Sequence, residues 1–209
     1  MNQQFHPTTV RRRTHGLTII ELMVVVLVVA VLAALAVPSL REFMARQRVA
    51  AINAELVTDL QLARSEAISR NRDVYVTFRT DNLAGQPPMT CYTIHTRNLI
   101  ATCDCRRPLG SSCPALQEVE EIKTVQVFRT MNVTLLPQAW PGNFLRFSAD
   151  RGLASWHGHA SSDPDTWEDY RVGVESSISG KLRTSTNITG RPQVCSPDAS
   201  INGVSQCTE

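Results

Sequence analysis

Residues 16–38 read GLTIIELMVVVLVVAVLAALAVP, and the architecture turns on this stretch. From Leu17 to Val37 only Thr18 and Glu21 interrupt the apolar run. Read as a helix at about 1.5 Å per residue, the run reaches roughly 32 Å, close to the hydrocarbon thickness of a bilayer. Residues 17–37 therefore suit a single transmembrane helix.

Working outward, Arg11, Arg12 and Arg13 precede the run, and no comparable basic cluster follows it. By the positive-inside rule the N-terminus is expected in the cytoplasm and everything after Pro38 on the far side of the membrane. A secretory signal peptide would carry a shorter apolar core, about 7 to 15 residues, with a small-residue cleavage site behind it. The present run is longer and contains a carboxylate. Within hydrocarbon a charged group costs about 2.5 kcal/mol or more at a helix centre and less near an interface, so Glu21 asks for a cation.

Gly16, an apolar residue after it, and Glu21 together resemble the processing site of type IV prepilins and type II secretion pseudopilins. The resemblance implies that residues 1–16 are a cytoplasmic leader removed by a prepilin peptidase. The cut would fall between Gly16 and Leu17, with N-methylation of Leu17 and Glu21 as the fifth mature residue. It also implies that Glu21 meets the terminal amine of a neighbouring subunit as helices bundle, which supplies the missing counter-charge. Other pilins or pseudopilins are then the partners, and the bacterial inner membrane holds the chain before assembly. The sequence departs from the usual pattern in having Leu17 rather than Phe, and in its long leader.

Pro38 ends the apolar run, and a proline inside a helix removes a hydrogen bond and crowds the preceding turn, so a kink or melted turn is expected there. Beyond it Val49, Ile52, Leu56, Leu60, Ala63 and Ala67 recur at three- and four-residue steps. Arg46, Arg48, Glu55, Asp59, Arg64 and Glu66 are assigned to other faces. Residues 38–72 thus read as an amphipathic continuation, with the helix ending near Arg70. Its stripe needs a sheet to cover. Alternating segments follow at Val74–Phe78, Cys91–Thr96, Ile122–Phe128, Phe144–Phe147, Tyr170–Glu175 and Lys181–Thr186. The fold class is α+β: a long N-terminal helix packed on an antiparallel β-sheet head, residues 73–209, facing the periplasm.

The run ELVTDLQLARSEAISRNRDV, from Glu55 to Val74, resembles the helix end of the GspH/FimT group of minor pilins and pseudopilins. ITGRPQVC, Ile188 to Cys195, is similar to the C-terminal TGRxR-type strand of that group. Some members acting in DNA uptake carry a Gly-Arg-x-Arg motif whose guanidiniums can contact phosphates. Here Gly190 and Arg191 match, while Pro192 follows and Gln193 replaces the second arginine. Lys181 and Arg183 are the nearest other cations. DNA is thus a minor candidate partner. From residue 73 onward 12 basic side chains face 14 acidic ones, which disfavours a broad phosphate-binding surface.

Six cysteines, Cys91, Cys103, Cys105, Cys113, Cys195 and Cys207, all follow the span, where an oxidising compartment favours disulfides. Cys195 with Cys207 is the expected pair, closing a C-terminal loop. The other four are expected to staple the loop after Cys91 in a pairing the sequence leaves open. Zinc at Cys91, His95, Cys103, Cys105 and Cys113 is the competing reading, weakened by the absence of paired CxxC spacing. A second metal reading of His157 and His159 with Asp163, Asp165, Glu168 and Asp169 competes with a solvated polar loop. No GxSxG elbow, HExxH or P-loop is present, and nothing recommends an enzyme or a cofactor.

The composition, 43% hydrophobic and 19% charged, requires a soluble body besides the span. The expected function is that of a minor pilin in the priming or tip complex of a type IV pilus. The alternatives are a GspH-type pseudopilin of type II secretion and a FimT-type DNA-binding pilin of natural transformation.

Overall fold

The computed structural model describes residues 18–80, 85, 87–96, 103–113, 119–137, 144–156 and 169–208. The chain divides into two units, Met1–Leu40 and Arg41–Glu209, and helix α1, Ile19–Arg70, contributes to both.

In the first unit Thr18 caps α1. Its Oγ1 accepts the Glu21 backbone N–H at 3.3 Å, and its carbonyl accepts that of Leu22 at 3.2 Å. Val24, Val25, Val26, Val28, Val29 and Val31 follow, β-branched residues that are mediocre helix formers in water. In hydrocarbon the backbone must satisfy itself along one segment, and that overrides the propensity. The melted turn expected at Pro38 is absent, since α1 runs through it unbroken. The proline deletes one N–H donor only, and just beyond it the Ser39 hydroxyl donates to the Ala36 carbonyl at 2.9 Å.

In the second unit α1 buries Ala45, Val49, Asn53, Leu56, Asp59, Leu60, Ala63 and Ala67. Fully burying a leucine such as Leu56 or Leu60 contributes about 2 kcal/mol, so this stripe is a principal source of the head's cohesion. Asp59 departs from the sequence expectation: it lies on the buried face and is only 3% exposed. Partners from the sheet make that tolerable. Tyr92 donates its hydroxyl to Asp59 Oδ2 at 2.7 Å, and Lys123 Nζ reaches Oδ1 at 2.8 Å. The helix stops where Asn71 enters the left-handed region at φ 50° and the Arg72 N–H returns to the Ala67 carbonyl at 3.2 Å.

Nine strands follow among the described residues: β1 (Val74–Arg79), β2 (Met89–Thr96), β3 (Glu121–Phe128), β4 (Val133–Pro137), β5 (Phe144–Phe147), β6 (Ala154–Trp156), β7 (Tyr170–Ser176), β8 (Lys181–Thr186) and β9 (Pro192–Cys195). They form two antiparallel sheets, one ordered β3-β2-β1-β5-β6 and the other β4-β7-β8-β9. β4 and β6 had no counterpart in the sequence reading, while β9 falls within the Ile188–Cys195 stretch that the resemblance gave as a strand. β1 buries Val74, Val76 and Phe78 in strict alternation, whereas every residue of β2 is buried. One face of β2 meets the core. Over the other lies the 103–113 loop, anchored by Gln126 Nε2 to the Cys105 carbonyl at 2.7 Å.

The sheets meet across an aromatic group in which Phe78 contacts Tyr92 and Tyr170, and Tyr170 contacts Trp156, with centroids 5.6 to 6.0 Å apart. Two bonds stitch the margins: Leu135 N–H donates to the Thr90 side-chain hydroxyl at 3.0 Å, and Ala154 N–H to the Ile188 carbonyl at 2.9 Å.

Candidate functional site

The processing residues Gly16 and Leu17 lie outside the described residues, so the geometry begins at Thr18. Thr18 and Glu21 form a T-x-x-E pattern whose threonine half is made, which places Glu21 at the third helical position. A carboxylate in the first turn is stabilised by the positive end of the helix dipole. The sequence carries the signal for this cap, a Thr three residues before a Glu at the head of an apolar run, which the reading of Glu21 by membrane depth alone did not use. Glu21 has no cationic partner among the described residues, and its side chain is exposed. So are Ile19, Leu22, Met23, Leu27, Leu32 and Leu35, from 57% to 83%. Helix α1 is therefore long and apolar enough to cross a membrane, and none of its apolar window is buried among the described residues.

The cations named as DNA candidates do not converge. Arg191 is exposed just after the β8–β9 turn, where its backbone N–H donates to Asn187 Oδ1 at 3.3 Å. Lys181 begins β8 at the opposite end, roughly 17 Å from Thr186 at strand rise, with Nζ 3.5 Å from Glu175. Arg183 lies between them, opposite Cys195.

Gly190 itself is buried, and its role is one of packing. It has φ +72°, and a Cβ there would stand 2.8 Å from the Gly152 carbonyl oxygen and 3.2 Å from Phe147 and from Arg64. Arg64 Nε in turn donates to that same Gly152 carbonyl at 3.2 Å. The ARSEAI run and the TGR run, separate family signatures in the sequence, thus meet at one backbone carbonyl.

The cysteines are joined as Cys91–Cys105, Cys103–Cys113 and Cys195–Cys207. His95 lies beside the Cys103 and Cys113 sulfurs, but those sulfurs are bonded to each other and offer no thiolate. The imidazole nitrogens sit 3.0 Å from Thr77 Oγ1 and 3.4 Å from the Thr96 carbonyl. Of the second metal reading only Asp169 falls within the described residues.

Electrostatic tuning gathers around the five-stranded sheet. A hydrogen bond from Arg106, with smaller help from its backbone N–H, holds the Asp104 carboxyl below its usual range. Burial pushes Glu121 up, but donors on Thr124, Ser112 and Gly110 outweigh it and leave the group low. Burial likewise works against the Lys123 ammonium, and Asp59 and Glu55 prevail, raising it. Desolvation, reinforced by Asp59, drives the Tyr92 hydroxyl far up. These groups tie the head together.

Comparison with known proteins bears on both units. The prokaryotic N-terminal methylation motif matches residues 11–37, and the family described as type II transport protein GspH matches residues 53–190. No curated protein is a significant sequence match. Two crystal structures of the Pseudomonas aeruginosa (strain PAO1) type IV minor pilin FimU are similar. One, in space group P21, has 19% identity and a TM-score of 0.46 over 77% of this chain and 97% of that one. The other, in space group P65, has 17% identity and a TM-score of 0.44 over 75% and 97%. The methylation motif on an unburied apolar helix, and a family match over most of the head, place this chain in the GspH family of type IV pilin-like proteins.

Proposed function

We propose that this chain is a minor subunit of a type IV pilus-like filament. It would be cut between Gly16 and Leu17 by a prepilin peptidase, methylated on Leu17, and held in the inner membrane with its head in the periplasm until it assembles. The observation that carries the reading is the apolar surface of α1 from Ile19 to Phe43, which finds no cover among the described residues. In assembly, helices of neighbouring subunits replace lipid around this surface, and the Glu21 carboxylate gains the terminal amine of a neighbour. The role is structural and involves no turnover.

A type II secretion role is the second reading, favoured by the description of the matched family. Retention of secreted proteins in the periplasm on deletion would favour it, and loss of surface pili the pilus role. The DNA-uptake reading has less support, because Gln193 replaces the second arginine and the candidate cations are spread along β8 and past its turn.

Mass spectrometry of the N-terminus in shed or sheared filaments tests the proposal. A methylated Leu17 is expected, and Glu21→Val should be cleaved normally yet enter filaments poorly. A chain that keeps Arg11–Arg13 in its exported form would overturn the reading.

A further inference from the structure

Where the 103–113 loop lies over the face of β2 away from the core, three metal-binding side chains come together. His95, near the end of β2, and Cys103 and Cys113, at the two ends of the loop, bring a ring nitrogen and two sulfurs all within 4.8 Å of one another. His95 and Cys103 are only 2% and 1% exposed, and half-buried Cys113 is the way in from solvent. The imidazole is held from two sides, by Thr77 Oγ1 at 3.0 Å and by the Thr96 carbonyl at 3.4 Å. One nitrogen can bind an ion while the other keeps its protein partner, the arrangement that orients metal-binding imidazoles.

In the oxidised head the two sulfurs are bonded to each other. Noncovalent bonds hold the loop ends as well. Asp104 N–H donates to the Ser112 carbonyl at 2.8 Å, pairing the residues next to both cysteines. Ser112 N–H donates to Glu121 Oε2 at 2.9 Å, and Gln126 Nε2 to the Cys105 carbonyl at 2.7 Å. As thiols the two side chains therefore stay together beside the imidazole. Sulfurs sharing a zinc ion at about 2.3 Å each stand roughly 3.8 Å apart, a separation that side-chain rotation supplies.

We propose that Cys103, Cys113 and His95 form a zinc site in the thiol form of the head, mutually exclusive with the Cys103–Cys113 disulfide. Two thiolates and a neutral imidazole around a divalent ion sum to zero charge, which suits a buried site. Sulfur ligands disfavour calcium and magnesium, and three protein ligands leave a fourth position for water. The two fates of the thiols differ in electrons. An oxidant takes two electrons and two protons and leaves the disulfide; zinc displaces the two protons only, and both electron pairs stay on sulfur as the metal bonds form. Cysteines enter the chain as thiols, so the ion needs no reductant to bind first, and once bound it keeps the pair from oxidation. The inference concerns the head alone and stands apart from helix-driven assembly.

The test uses the full-length chain in detergent micelles, kept anaerobic and reduced with a phosphine, with cobalt(II) as the spectroscopic probe. A single cobalt should bind with thiolate-to-metal absorption, and zinc should displace it. Affinity should fall about tenfold or more in Cys113→Ala, in His95→Gln and in the oxidised parent, while Cys195→Ala binds like the reduced parent. Circular dichroism identifies any variant that fails to fold; either folded variant decides the matter, and the oxidised parent needs no variant. Cobalt bands that persist unchanged in a folded variant or in the oxidised parent, that vanish in Cys195→Ala, or that never appear in the reduced parent overturn the proposal. So does a reduced parent that loses its fold.

Discussion

The two sheets grip the same helix by different chemistry. The five-stranded sheet holds α1 through ionised groups: Asp59 is buried, takes the Tyr92 hydroxyl, and shares Lys123 with Glu55 at 3.0 Å. The four-stranded sheet uses a neutral pair, Thr184 Oγ1 donating to Asn53 Oδ1 at 2.8 Å, with both residues buried. A buried charge that keeps its partners is tolerable, but stranding those partners is severe; a neutral pair fails more gently. These two buried pins of the helix thus differ in how much each loses when broken.

That contrast is open to measurement. Asp59→Ala removes the acceptor of a buried phenol and one anchor of Lys123. Because Lys123 is a third exposed, its share is screened, and the total expected loss is about 3 kcal/mol. Asn53→Ala strands only a hydroxyl and should cost about 1 kcal/mol. Urea unfolding of the two variants, followed by circular dichroism, should rank them so; equal losses would break the distinction between charged and neutral pins.

Next in size is Gly190→Ala, which forces a side chain into a left-handed residue against the Gly152 carbonyl and should cost about 2 kcal/mol. Arg64, β5 and the turn before β9 meet there, so tryptophan fluorescence and circular dichroism should lose the native signal together. Separate transitions would mean that the sheets unfold independently.

The smallest effect is that of pH, concentrated around the five-stranded sheet. Asp104 and Glu121 are held low, so their stabilisation is present above about pH 4 and disappears as pH falls through their folded values. Lys123 is raised, so its contribution is full below about pH 10 and disappears as pH climbs past its folded value. Urea midpoints should fall at both extremes, by under about 1 kcal/mol per group given their exposure. A flat profile would show that the network adds nothing beyond packing.

The apolar first half of α1 was the most legible part, because an unbroken apolar run of this length leaves few alternatives to a helix. The helix end at Arg70 and strands β1, β2, β3, β5, β7 and β8 followed from periodicity. Asp59 was misassigned since charge alone suggests solvent, and only Tyr92 and Lys123, distant in sequence, make its burial tolerable. Gly190 was read as part of a phosphate-contact motif, because the carbonyl it packs against lies 38 residues away, beyond the reach of local pattern.

Every cystine bridges positions close in sequence, with separations of 14, 10 and 12 residues, and none runs from one sheet to the other. Short loops close with little entropic penalty. An oxidant can therefore seal each loop while the chain is still lengthening, without waiting for distant strands to dock. A reductant would slacken the rims of the head and leave the helix's grip on both sheets to noncovalent forces alone.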